Sequence, residues 1–205
     1  YWDTEFEGLV DEIEVYDCTL SADYIADAYA EATGDPKEGK IAEYTFEDSI
    51  ADNNGNEASA VVSGLDAYNG DVKYEAGFRG EAVRLGDYGL QLNKKNLGEN
   101  FTVSMWVKPD GTFAENQVLT LLGYHDPEQW LAVSGNKSGT ANCKFWANGG
   151  GYNTWTTLGT PAVNADGWHQ LVITGTDSTV TAYLDGVQTG SGTSNHPLAQ
   201  ENGDI

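Results

Sequence analysis

The stretch from Asp166 to Gly190, DGWHQLVITGTDSTVTAYLDGVQTG, decides the fold. Residues Trp168 to Thr174 are mostly bulky or β-branched, which favours a strand, and a polar turn at Thr176 to Ser178 follows them. The run from Val180 to Leu184 then alternates apolar and polar residues, as a strand with one buried face does. Asp185-Gly186 favours a tight reversal, because glycine accepts a positive φ at little cost. The stretch therefore predicts two or three consecutive antiparallel strands.

Composition and charge narrow the range of partners. The 205 residues suffice for one large all-β domain or two small ones, and 40% hydrophobic residues can fill a core. The net charge is −22, from 10 basic and 32 acidic residues, which disfavours nucleic acid and anionic membranes as partners. The apolar runs are too short to span a membrane, so we expect no membrane insertion. We interpret the many acidic residues as a means of keeping the protein soluble in an extracellular or salty medium. Some of their carboxylates are candidate ligands for calcium.

Both the start of the chain and its two cysteines leave alternatives open. The sequence begins at Tyr1 without a signal peptide, so we interpret it as a mature or excised part of a larger protein. Cys18 and Cys143 could form one disulfide in an oxidising compartment or remain two separate thiols.

A second alternating segment lies near the start, at residues 5–17, EFEGLVDEIEVYD. Strict alternation predicts that one face of this strand carries Leu9, Asp11, Ile13 and Val15. Asp11 is therefore a carboxylate in line with three apolar residues, and a buried carboxylate needs a cation or several donors nearby. After this strand, Ser21 is a suitable N-cap for a short helix from 22 to 32 that Gly34 would close.

Several segments resemble the laminin G-like and pentraxin-like (concanavalin A-type) domains of bacterial secreted or surface proteins. The resemblance rests on the W-H…Y-L-D-G hairpin and on the runs GLVDEIEVYDCTLSADYI (8–25), IAEYTFE (41–47), GFRGEAVRLG (77–86) and FTVSMWVKP (101–109). It implies an all-β fold, a two-sheet antiparallel jelly-roll sandwich with one short helix near residues 22–32.

The resembling segments occur in a permuted order. Residues 1–33 resemble the closing strand and helix of such a domain, 34–40 form a linker, and 41–205 resemble the opening and body. The chain is then either a circularly permuted single domain or a piece cut from a tandem array. In both cases the strand from Leu9 to Tyr16 should pair with the strand from Ile41 to Glu47, within the chain or with a neighbouring copy.

Catalysis has weak support in the sequence. The run from Glu12 to Asp17 resembles the E-x-D-x-x-E strand of laminarinase-type glucanases, but Glu14 and Asp17 depart from that pattern. The histidines His125, His169 and His196 are far apart and have no metal-ligand spacing. We therefore expect that the protein is not an enzyme.

Calcium is the better candidate for a cofactor. The loop from Asp48 to Asn56 offers the carboxylate and amide oxygens that this cation prefers. The resemblance implies a structural calcium where the opening loop meets the closing strand. Carried over to this chain, it nominates Asp11, Glu47, Asp52, Asn54 and Asn56 as ligands. The alternative is an ordinary loop held by Asx turns.

Sugar recognition would need aromatic faces together with planar polar side chains. Trp130, Trp146, Tyr152 and Trp155 lie among Asn, Gly and Thr in a region that we expect to be irregular, and Gly149 to Gly151 should lift Tyr152 and Trp155 away from regular strands. Trp106 and Trp168, in contrast, lie in strand patterns and are expected in the core. The predicted ligand-binding residues are Trp155, Tyr152, Asn148, Asn153, Trp130 and Tyr124.

Together these observations predict a non-catalytic, secreted or cell-surface lectin or adhesion module. Its partner would be a neutral glycan or glycoprotein, because a net charge of −22 repels acidic ones. The alternative from another class is a structural repeat that binds neighbouring copies of itself in a surface array or filament. A degenerate glucanase is a third possibility.

Overall fold

The computed structural model describes residues 4–31, 39–62, 66–92, 100–110, 117–124, 129–135, 141–147, 154–157, 167–176 and 179–193. For residues 4, 5, 31, 193 and the four segments between 117 and 157, the description covers the backbone alone.

The described elements are one helix and fifteen strands. The helix α1 is Ala22–Glu31. In chain order the strands are β1 Thr4–Glu5, β2 Gly8–Tyr16, β3 Lys40–Tyr44, β4 Ser59–Val61, β5 Tyr74–Ala76, β6 Glu81–Leu85, β7 Gly89–Gln91, β8 Phe101–Pro109, β9 Gln117–Tyr124, β10 Gln129–Gly135, β11 Ala141–Ala147, β12 Thr154–Thr157, β13 His169–Thr176, β14 Thr179–Leu184 and β15 Val187–Thr193.

Two large sheets form the layers of the sandwich. The five-stranded sheet has the order β1-β9-β10-β11-β12, and all its pairs are antiparallel except β1 with β9. The eight-stranded sheet runs β15-β14-β13-β8-β2-β6-β5, with β3 also paired to β2. A small third sheet pairs β4 with β7. The predicted all-β two-sheet fold with one short helix is confirmed.

The hairpin predicted from the deciding stretch is present as β13, β14 and β15. β13 pairs with β14 and β14 with β15, each antiparallel. Asp185 and Gly186 have φ values of 51° and 75°, as a tight hairpin turn requires. Val180 and Ala182 are buried in the main core, whereas Tyr183 is buried in a second cluster on the opposite face.

β2 occupies the centre of the eight-stranded sheet. It pairs with β8 on one side, and on the other side with β6 through residues 8–10 and with β3 through residues 13–16. The predicted pairing of the closing and opening strands is therefore confirmed within one chain. Whether the order arose by permutation or by cutting a tandem array stays a prediction.

The expectation of strict alternation along β2 is wrong. Asp11 lies opposite Trp106 and Glu14 lies opposite Ser104, so β2 has one residue more than β8 between these pairs. Glu12 has a φ of 47°, and this left-handed residue forms a bulge that reverses the sense of alternation. Asp11 is consequently on the face away from the main core.

The main core lies on the inner face of the eight-stranded sheet. Its largest fully buried members include Tyr44, Phe46, Phe101, Leu171 and Ile173. Burial of a side chain of this size stabilises the fold by about 1.5–3 kcal/mol.

Helix α1 packs on the opposite, outer face of the same sheet. Ile25 is buried there with Leu20, Tyr16, Val172 and Tyr183. The predicted N-cap is confirmed, since Ser21 Oγ accepts a hydrogen bond from the backbone N–H of Tyr24 at 3.2 Å. The helix ends at Glu31, and the predicted closure at Gly34 lies outside the described residues. No helix in the described part of the chain is long and apolar enough to cross a membrane.

Candidate functional site

Three tryptophans line up across neighbouring strands of the five-stranded sheet. Trp130 of β10 is directly opposite Trp146 of β11, which is directly opposite Trp155 of β12. Directly opposite positions in antiparallel strands share one face of a sheet. With strands about 4.8 Å apart, this tryptophan row (Trp130, Trp146 and Trp155) spans about 10 Å between its outer backbone positions.

The two faces of the five-stranded sheet differ in composition. The face without the row contains Leu119, Leu122, Leu131, Val133, Cys143 and Phe145, with Tyr124 and Gln129 at the strand ends and Thr154 and Thr156 on the edge strand β12. The face with the row contains mainly small or polar residues, namely Val118, Thr120, Gly123, Ala132, Ser134, Asn142, Lys144 and Thr157. Such a division indicates that the first face packs on the other sheet and that the row belongs to the outward face.

The expectation that these tryptophans lie away from regular strands is wrong, because all three are strand residues. Tryptophan and threonine favour strands, and β12, with the sequence TWTT, pairs with β11 over its whole length. The glycine run is confined to the connection between these two strands. Trp146 was not among the predicted ligand-binding residues, although its position two residues after Lys144 on β11 fits strand alternation.

Of the remaining predicted ligand-binding residues, the structure describes only Tyr124. Asn148, Tyr152 and Asn153 belong to the connection between β11 and β12, outside the described residues. Tyr124 is the last residue of β9 and is opposite Gln129, so its position is on the face without the row. The connections β9–β10 and β11–β12 both leave the sheet at the end where the row is located.

The predicted calcium ligands of the opening loop form one hydrogen-bonded turn. Asp52 Oδ1 accepts hydrogen bonds from the backbone N–H groups of Asn54 at 2.9 Å and Asn56 at 2.8 Å. The side-chain amide of Asn56 donates to both carboxylate oxygens, at 3.1 and 3.0 Å. Asp52, which is 5% exposed, therefore holds the loop together as an Asx turn does.

Asp11 and Glu47 lie at a different loop, Gly77 to Glu81. Asp11 is fully buried, and its carboxylate accepts the backbone N–H groups of Glu12 at 2.8 Å and Arg79 at 3.0 Å. Burial raises the pKa of Asp11, although the backbone hydrogen bonds oppose this shift, and nearby Glu47 raises it further. Glu47 Oε1 accepts the backbone N–H of Glu81 at 3.2 Å. Two carboxylates thus meet at one turn.

Gly77 leaves room for a group of converging oxygens. A methyl group built onto Gly77 would stand 2.5 Å from Asp11 Oδ2 and 2.6 Å from the carbonyl oxygens of Arg79 and Glu81. The carboxylate of Glu47 lies directly over the neighbouring Gly80. In the described part of the chain, no three His, Cys, Asp or Glu side chains gather as a metal site. The five predicted ligands are thus divided between two loops.

The carboxylates of the glucanase-like run have structural partners. Burial raises the pKa of Glu12 to about 7, with a contribution from Asp11, while Arg79 opposes the shift from 3.9 Å. Glu14 pairs with Lys40 at 3.0 Å and accepts the hydroxyl hydrogen of Tyr16 at 3.1 Å. The bulge at Glu12 interrupts the alternation that would place Glu12 and Glu14 side by side.

An aromatic stack covers the outer face of the eight-stranded sheet near Asp11. Phe78 stacks on Trp106 with ring centroids 3.6 Å apart, and Tyr29 of α1 stacks on Trp106 at 5.7 Å. Trp168 meets Phe78 edge-on at 6.3 Å. Trp106 is buried, as predicted, but beneath α1 and the loop and not between the sheets. Asp11, which is directly opposite Trp106 in the sheet, is fully buried beside this stack.

The fold is an antiparallel jelly-roll sandwich, and the tryptophan row lies on one face of its five-stranded sheet. The sequence profile of Laminin_G_3, described as the Concanavalin A-like lectin/glucanases superfamily, matches residues 85–205. This match covers more than half of the chain, so the chain belongs to that family. The search among curated proteins found no match.

One solved structure gives a further comparison. The chain is similar to domain 4 of AbnA, a GH43 extracellular arabinanase from Geobacillus stearothermophilus, whose structure is a complex with arabinotriose. The similarity has a TM-score of 0.60 and 24% sequence identity, and it covers 80% of each chain. At this identity the comparison shows the shared fold alone.

Proposed function

We propose that this protein is a non-catalytic carbohydrate-binding module that acts outside the cell, secreted or at the cell surface. The observation that carries the proposal is the tryptophan row on the more polar face of the five-stranded sheet. Indole rings can cover the apolar faces of sugar rings, and a row of about 10 Å suits a short stretch of a glycan chain. Neighbouring positions such as Asn142, Ser134 and Thr157 could supply hydrogen bonds to hydroxyls.

Two comparisons support a carbohydrate as the partner. The family description includes lectins and glucanases, and the similar arabinanase domain has arabinotriose bound. The second relation also supports an extracellular setting, because that enzyme is extracellular. Arabinan-type oligosaccharides therefore belong among the first ligands to test.

The charge pattern of the row face supports binding without hydrolysis. Glycoside hydrolysis generally requires two carboxyl groups on either side of the scissile bond. None of the residues in strands β9 to β12 is Asp or Glu, and the edge strand β1 of the same sheet contributes one carboxylate, Glu5, not a pair. Glu12 and Glu14 belong to the other sheet and have the structural partners described above.

Calorimetric titration against a panel of plant and microbial oligosaccharides tests the proposal. We expect binding of order micromolar to millimolar, weakened at least tenfold by Trp146→Ala and by Trp155→Ala. Trp168→Ala, which removes a half-buried tryptophan just before β13 of the other sheet, is the matched control and should leave the affinity unchanged. Circular dichroism would verify that each variant is folded.

The opposite result has a definite meaning. Equal affinities for wild type and both row variants would exclude the row as the binding site. If no sugar binds while light scattering shows concentration-dependent self-association, the structural-repeat alternative would replace carbohydrate binding.

Calcium, which the resemblance implies, fits one part of the predicted ligand set. Asp11 and Glu47, with the carbonyl oxygens of Arg79 and Glu81, are the hard oxygen ligands that calcium prefers. A divalent cation there would also offset the repulsion between the two carboxylates. The Asp52 turn does not fit, because amide donors already face its carboxylate. We therefore place the proposed calcium at the Gly77 to Glu81 loop.

Thermal unfolding in chelator and in millimolar calcium tests this site. Calcium should raise the melting temperature by mass action, and Asp11→Asn should reduce that response. Asp27→Asn, at an exposed position of α1, is the control and should respond like wild type. Identical melting curves with and without calcium would rule the site out.

A further inference from the structure

The acidic residues of this chain are unevenly distributed. Asp and Glu together number 32 against 10 Lys and Arg. Strands β9 to β12 nevertheless contain no acidic residue and one basic residue, Lys144. The edge strand β1 of the same sheet adds Glu5, which is opposite Val118 and three strands away from β11. The net charge of −22 therefore does not describe strands β9 to β12.

Lys144 is placed beside the row on the same face. It is two residues before Trp146 on β11, and alternate residues of a strand share a face. Its directly opposite neighbours are Ala132 on β10 and Thr157 on β12. The register therefore surrounds this lysine with uncharged positions on both adjacent strands.

The other lysines of the described residues have acidic neighbours. Lys40 pairs with Glu14 and Glu43, and Lys73 pairs with Asp87. Lys108 forms no such pair within the described residues, but Arg84 and Lys108 together lower the pKa of Glu75. Asp126 and Glu128, the nearest acidic residues in sequence to Trp130, lie outside the described residues.

We propose that the glycan bound by the tryptophan row carries a carboxylate, as a uronic acid does, and that Lys144 recognises it. This inference rests on the proposed function and makes its ligand more specific. The juxtaposition of one cationic position with an aromatic row allows one sugar ring to stack while the carboxylate of the same or the next ring reaches the ammonium group.

The net charge does not oppose this assignment at physiological salt. Charges more than about 8 Å apart in solvent are largely screened at that ionic strength. The local positions, and not the total of −22, then decide whether the row face attracts or repels an anion. An exposed contact between an ammonium and a carboxylate should make the acidic sugar bind roughly threefold to tenfold more tightly than its uncharged ester.

The test compares sugars that differ only in charge. Trisaccharides of galacturonic, glucuronic and mannuronic acid are titrated beside their methyl esters and beside neutral trisaccharides, including arabinotriose. Chelator is present throughout, so that a bridging calcium ion cannot imitate the lysine. The proteins are wild type, Lys144→Gln, Lys144→Arg and Lys73→Gln. Lys73 is an exposed lysine next to β5 of the other sheet, so Lys73→Gln is a control that changes the net charge as much as Lys144→Gln does.

Wild type should bind at least one acid roughly threefold to tenfold more tightly than its ester, and added salt should reduce that preference. Lys144→Gln should abolish the preference, while Lys144→Arg and Lys73→Gln should retain it. If neutral sugars or esters bind as tightly as the acids, the inference fails and the proposed function stands. If no sugar binds at all, both fail together.

Discussion

The outer face of the eight-stranded sheet is covered by α1 and by the loop that carries Phe78, whereas strands β10 to β12 place three tryptophans on a face of mostly small and polar residues. The covered face includes buried carboxylates and hydroxyls, among them Asp11, Thr102 and Ser104. Both faces belong to one sandwich. Polar groups on the covered face stabilise the fold, whereas polar positions on the face with the tryptophan row are suited to binding a ligand. Variants of the covered face should therefore change mainly the stability, and variants of the face with the row mainly the binding of a ligand.

The largest expected effect is the loss of packing beneath α1. Ile25 is 1% exposed, and Ile25→Ala should lower the free energy of unfolding by about 2–5 kcal/mol through lost burial and a residual cavity. Asp27→Ala, at an exposed position of the same helix, should change it by less than about 0.5 kcal/mol. Urea unfolding measures both. A small effect of Ile25→Ala would mean that α1 is not needed to cover this face.

Gly77→Ala should cause the next largest loss of stability. The added methyl group would meet Asp11 Oδ2 at 2.5 Å and two carbonyl oxygens at 2.6 Å, and overpacking of this kind costs about 1–3 kcal/mol. Gly89→Ala is a matched control, because nothing lies within 4 Å of the methyl group there. Equal melting temperatures for the two variants would contradict the tight closure of the loop over Asp11.

The protein should lose stability at alkaline pH because of a buried tyrosine on the covered face. Burial raises the pKa of Tyr16, and Glu14 raises it further. A tyrosine whose folded pKa is above its unfolded value of about 10 contributes stability that is fully present below pH 10 and is lost as pH rises beyond it. Unfolding of Tyr16→Phe should therefore depend less on pH above 10 than unfolding of wild type. Tyr29→Phe, which alters an exposed tyrosine, is the control. If the free energy of unfolding of Tyr16→Phe falls with pH as steeply as that of wild type, ionisation of Tyr16 does not destabilise this face.

The smallest stability effect is expected on the row. Trp146→Ala should lower the free energy of unfolding by no more than about 1 kcal/mol, the scale of a cross-strand pair on an outward face. Sugar affinity should fall in the same variant, as proposed above. A loss of several kcal/mol in urea unfolding would instead place Trp146 in the core and remove the contrast between the two faces.

Local sequence patterns predicted much of the architecture. The alternation in Val180 to Leu184 and the turn residues Asp185-Gly186 act over a few residues, so the hairpin β13–β15 follows from the sequence. The cap at Ser21 is equally local. Asp11 was identified as a buried carboxylate that needs partners, but its donor, the backbone N–H of Arg79, is 68 residues away in the chain and could not be inferred.

The candidate site shows the same limit more sharply. The sequence identified Trp130 and Trp155 as separate aromatic candidates for sugar binding. Its acidic composition also argued against nucleic acid as a partner. The alignment of the two tryptophans through Trp146 depends on the register of β10, β11 and β12, which backbone hydrogen bonds between strands fix. A shift of one residue would move a tryptophan to the other face of the sheet.

The hairpin β13–β15 and the cap at Ser21 could be predicted from the sequence, because each depends on residues a few positions apart. Which tryptophans share a face, and which of the predicted calcium ligands lie together, depends on the pairing of segments that are distant in the chain. Strand register and the bulge at Glu12 join residues that are distant in the chain, and a side-chain period of two makes each face depend on a single residue of offset.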